Sequence, residues 1–160
     1  MKRFTALLFA FAFVLCSCAH EPPAITVKRA LALPFEAEIA CGETVMHACV
    51  GEETWKVSFS APEALCGLEL RGESGASECE VSLDGFVRAA GAESFPVAQL
   101  LVNAVYAANG KGETKAEREG ICAYTIDETA VMVYYDTESG TVTAVSAEKN
   151  GKEFEYRVIR

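Results

Sequence analysis

The chain has 160 residues, enough for one domain whose core needs neither metal nor disulfide to hold it. It carries 23 acidic against 14 basic side chains, a net charge of -9. That balance excludes a nucleic-acid partner and direct docking to anionic head groups. Lys2 and Arg3 open the chain, and Thr5 to Leu15 is an apolar run of signal-peptide length, too short to cross a bilayer as a helix. Two cysteines, Cys16 and Cys18, close that run in the stretch LCSC. The segment after them, AHEPPAITVK, reads as a tether, because Pro22 and Pro23 keep it extended.

LCSC resembles the lipobox of bacterial lipoproteins. Leu15 fits its large aliphatic position, Cys16 its tolerant one, Ser17 its small one and Cys18 its thiol. The resemblance implies a cleaved signal peptide over residues 1–17, a diacylglyceryl group on Cys18, a lipidated tether over 18–33 and one domain over 34–160. It also implies an extracytoplasmic address, anchored to the cell membrane or, in a host with two, to the outer membrane. One acyl chain holds a protein only marginally and two or more hold it stably, so the membrane is a partner through lipid alone. The alternative is an ordinary secretory signal cut near Ala19.

A meander follows. In PFEAEIAC, Phe35, Ala37, Ile39 and Cys41 alternate with Glu36, Glu38 and Ala40, the period of a half-buried strand. Gly42-Glu43 suits a two-residue hairpin. That register faces Glu38 with His47 and Glu36 with Cys49, and sets Met46, Ala48 and Val50 on the apolar side. After Gly51-Glu52-Glu53, Trp55, Val57 and Phe59 continue the same face. APEALCG (61–67) reads as one helical turn ended by Gly67. Strands are expected over 68–71 and 78–83, with a turn at Asp84-Gly85. SFPVAQLLVNAVYAANG is the main helix, with Pro96 in its first turn and Asn109-Gly110 at its end. KGETKAEREG (111–120) reads as a solvated loop or short helix. Four strands then follow: ICAYTI, AVMVYYD, TVTAVSAE and KEFEYRVI. Asn150-Gly151 is a strong hairpin signal before the last.

The strands 121–126 and 130–136 are apolar on both faces. Ile121, Ala123, Met132 and Tyr134 point one way; Cys122, Tyr124, Val131, Val133 and Tyr135 point the other. Such strands need cover on both sides. The helix supplies one cover. A curled sheet's own interior, a partner protein or a lipid supplies the other.

This order of elements, with FSAPEALCGLEL and YDTESGTVTAV as its firmest stretches, resembles the LolA/LppX-type lipoprotein-carrier superfamily. The resemblance implies an α+β fold: a curved antiparallel sheet, half-open and barrel-like, with one main helix. It also implies a non-enzymatic role, binding a lipid or other apolar ligand, a lipoprotein or an envelope protein on the concave face. Met132, Tyr134, Tyr124 and Trp55 are the candidate ligand-binding residues. The alternative is a structural or interaction lipoprotein with a filled core and no cavity.

Catalytic signatures are missing. No G-x-S-x-G, H-E-x-x-H or P-loop occurs, and no cofactor is expected. His47 and Cys49, two apart and facing carboxylates, are of the types that ligate zinc or form a nucleophile pair. Any exposed strand pair gives the same spacing, so the expectation is a plain His–Glu contact, without metal or catalysis. Catalysis would require His47, Cys49 and a carboxylate to meet in a cleft. Apart from Cys16 and Cys18, the seven cysteines leave Cys41, Cys49, Cys66, Cys79 and Cys122, an odd set expected to act mostly as small core residues, with room for one disulfide.

Overall fold

The computed structural model describes residues 31–126 and 128–159. The lipobox, Cys18 and the tether up to residue 30 lie outside the described residues. The eleven strands are β1 (Phe35–Cys41), β2 (Thr44–Val50), β3 (Thr54–Ala61), β4 (Glu69–Glu73), β5 (Glu78–Leu83), β6 (Phe86–Gly91), β7 (Glu113–Arg118), β8 (Ile121–Ile126), β9 (Thr129–Tyr135), β10 (Val142–Lys149) and β11 (Lys152–Ile159). They form one open antiparallel sheet in the order β6-β5-β4-β3-β2-β1-β11-β10-β9-β8-β7. Two meanders thus grow from a central β1–β11 pair towards opposite edges. Helix α1 (Pro96–Tyr106) carries the chain from edge strand β6 to the far edge at β7.

Helix α1 is apolar almost all round. Ala98, Leu100, Leu101, Val102, Ala104, Val105 and Tyr106 are all buried, as a helix of that composition must be. It packs against β8, β9, β10 and β11. Trp55 of β3 borders the same cleft as Val102 and Tyr106, so both halves of the sheet flank the helix. Two polar ties fix it. Tyr156, fully buried on β11, donates from its hydroxyl to the Val97 carbonyl at 2.7 Å. Past the helix the chain widens into a looser turn (Ala107–Lys111), in which Gly110 takes φ +90°. There Asn109 donates to the carbonyls of Val105 (2.8 Å) and Leu31 (2.6 Å). Leu31 is fully buried, so this part of the stretch assigned to the tether is held against the core.

The β1–β2 hairpin has the expected register, with Glu36 opposite Cys49 and Glu38 opposite His47. Gly42 takes φ +58° at its turn. Two edges differ from expectation. Residues 113–118 are strand β7, paired to β8, rather than a loop or helix. Residues 86–91 are a further strand, β6, paired to β5. Neither carries an alternating apolar stripe in its sequence to announce it; backbone pairing to its neighbour makes it a strand. The five described cysteines are all free thiols; Cys79 and Cys122 are buried, as small core residues are, while Cys66 is exposed.

Candidate functional site

The alternation of each strand sorts its side chains between a helix face and an outer face. Trp55 and Tyr124 are buried on the helix face. Met132 and Tyr134 lie on the outer face, where Met132 is 39% exposed and the Tyr134 hydroxyl meets its sulfur at 3.8 Å. The four candidate ligand residues therefore do not converge on one cavity. Side chains of α1 cover the helix face of β8 to β11. Burial raises the Tyr124 phenol well above its ordinary range, as expected of a core residue. Met132, Ala123 and Tyr124 border a groove of about 260 Å³ that Glu148 and Glu153 also border, which neither Trp55 nor Tyr134 lines. Among the described residues nothing covers the outer side of β8 and β9, so their second apolar face is open.

The other conspicuous apolar exposure is at the β5–β6 hairpin. Asp84 and Gly85 take φ +50° and +84° at its tip. Leu83, Phe86 and Val87 are 38%, 79% and 56% exposed. Among the described residues, β6 is also an unpaired edge. The two edges are unlike: β7 reads ETKAER, charged as a guarded edge should be, whereas β6 reads FVRAAG with one charge.

Across β1–β5 the outer face is polar, in two cross-strand rows. One runs Glu36, Cys49, Lys56, Arg71, Glu80; the other runs Glu38, His47, Ser58, Glu69, Ser82. Glu69 collects both neighbouring cations: Lys56 bonds to it, and Arg71 lies 2.6 Å away. The hydrogen bond from Lys56, more than that from Arg71, holds the Glu69 carboxyl below its ordinary range.

Beside that cluster His47 sits between two partners. Its Nε2 lies 3.2 Å from Glu36 Oε1, and its Nδ1 lies 3.6 Å from Cys49 Sγ. The His–Glu contact expected from the register is thus formed diagonally, with Glu36, rather than with Glu38 directly opposite. Glu36 and Cys49 also border an open groove of about 720 Å³, lined by Phe35, Val50 and Trp55 with Lys56, Arg71 and Glu73 at its rim. The meeting that catalysis would require is therefore present in outline. Burial, and then the Glu36 charge, push the Cys49 thiol up, while Lys56 pulls only weakly against them. An activated cysteine needs the opposite shift.

No protein-family model matches the chain, and no curated protein matches it. Among solved structures, it is similar to a LolA superfamily protein, NE2245 from Nitrosomonas europaea, at 11% sequence identity and a TM-score of 0.42, over 84% of this chain and 90% of that one.

Proposed function

We propose that the protein is a non-catalytic, extracytoplasmic lipoprotein, anchored through Cys18, that binds another envelope protein on the surface of its sheet. One observation carries this reading. Helix α1 covers the helix face of β8 to β11, while Phe86 and Val87 stand exposed on the edge strand β6. The cleft beside the helix, at Trp55, Val102 and Tyr106, holds about 200 Å³, less than a ligand pocket ordinarily does. An edge strand with free backbone groups and apolar side chains suits the addition of a partner strand.

The test places a photo-reactive residue at position 86 in cells of the native host, with Cys18 intact or replaced by serine. The reading expects a covalent protein adduct in the membrane fraction, lost from that fraction with Cys18→Ser. Adducts to lipid alone, or unchanged fractionation of the Cys18→Ser chain, refute it.

A further inference from the structure

We propose that Cys49, His47 and Glu36 form a binding site for a thiophilic divalent cation of the zinc class on the outer face of the β1–β2 hairpin. The inference is independent of the proposed function. It begins with the donor set. Thiolate, imidazole and carboxylate together are the ligands of zinc and its soft or borderline neighbours, whereas magnesium and calcium take oxygen.

The hairpin builds the set. Cys49 and His47 are two residues apart on β2 and so share a face; Glu36 is the residue paired with Cys49 on β1. Cys49 Sγ and His47 Nδ1 are 3.6 Å apart. An ion at ordinary zinc–sulfur and zinc–nitrogen distances with tetrahedral angles spans an edge of about 3.6 Å. That pair therefore needs no rearrangement. One donor atom from each of the three residues lies within 4.8 Å of the others. The carboxylate has to close by about 1 Å to complete the face. Glu36 can do this, because its side chain is 69% exposed and touches only the imidazole edge that it would leave.

The surrounding charges favour a cation. Lys56, the cross-strand neighbour of Cys49, is turned onto Glu69, which also holds Arg71. Both cations are thereby paired with a carboxylate, although Lys56 stays within electrostatic reach of Cys49. An ion held by Glu36 and Cys49 would sit at the border of the groove that these two residues line. A site of three protein ligands with one open position takes water or a donor from a bound molecule there.

The experiment titrates the purified, reduced full chain with Co²⁺ alone and then with Zn²⁺. The expected result is one tight cobalt site with tetrahedral visible bands and a thiolate charge-transfer band, displaced by one equivalent of zinc. Cys49→Ser, His47→Ala and Glu36→Gln should each weaken binding by more than about tenfold, a loss that even an outer-shell partner of a ligand can cause. Cys66→Ser, which removes an exposed thiol elsewhere, should leave it unchanged. All four positions are at the surface or half-buried, and circular dichroism of each variant confirms the fold. No cobalt spectrum, a spectrum that survives Cys49→Ser or His47→Ala, unchanged affinity in Glu36→Gln, or equal loss in Cys66→Ser would each overturn the assignment.

Discussion

Replacing Tyr156 by phenylalanine isolates one hydrogen bond between the centre of the sheet and the first turn of α1. The ring stays, so no cavity opens; only the donation to the Val97 carbonyl at 2.7 Å is lost. That carbonyl also serves the helix's own ladder, so it is not orphaned. The cost at pH 7 should be about 1 kcal/mol, or a fall of about 3 °C in Tm for a domain of this size. Alkali supplies the second arm. Tyr156 is fully buried, and burial first, then the charge of Cys41, raises its pKa above the ordinary phenol range. A group whose pKa rises on folding contributes stability below its unfolded value, near 10 for tyrosine, and loses it as the pH climbs further. At pH 11 the unfolded phenol ionises while the folded one does not, which costs the parent protein about 1.4 kcal/mol. Phenylalanine escapes that cost. Other tyrosines are common to both chains and cancel. Urea denaturation at pH 7 and pH 11 should therefore show Tyr156→Phe less stable at the first and equal or more stable at the second. A gap that is absent at pH 7, or the same at both, would refute the reasoning.

Gly72→Ala should destabilise by about 1–3 kcal/mol through overpacking, because a Cβ there would sit 2.5 Å from the Trp55 ring. Trp55 is the sole tryptophan, so its fluorescence should shift alongside the fall in denaturation midpoint. Asp136 accepts bonds from the Ser139 amide (2.7 Å) and hydroxyl (2.8 Å) and from the Glu138 amide (3.2 Å), which hold its carboxyl below the ordinary range. Asp136→Ala should lower the thermal midpoint at neutral pH. The difference from the parent should disappear as acid protonates the folded carboxylate, since a lowered pKa contributes only above it; a difference that persists in acid would be against this account.

The register of β1, β2 and β3 is legible from the chain alone. Period-two alternation and a two-residue turn fix which residues share a face, and Glu36 and Cys49 pair as that logic requires. The same logic separates Met132 and Tyr134 from Tyr124. It does not say which side the helix takes, and that choice leaves Met132 outside and Tyr124 within. β6 and β7 escape notice because an edge strand gains its order from backbone pairing, not from a buried stripe. ETKAER has nothing to bury. The His47 trio is legible as a set of types on one face. Its distances depend on rotamers, and Glu36 reaches the imidazole along a diagonal that spacing alone does not favour over the direct path from Glu38.

Among the described residues, the middle of the sheet is sewn by the shortest of seams. Glu38, Ile39 and Ala40 meet Ile159, Val158 and Arg157, whereas β1 meets β2 along its whole length. Every other pairing is a local hairpin that can zip as soon as its own turn forms; this one must bring together segments that are remote along the polymer, at a greater entropic cost and a slower rate. Each ladder can thus mature before the join is made, and until then β1 presents a bare rim to the surrounding solution. Damage at Val158 would loosen that stitch while leaving the internal bonding of each ladder intact.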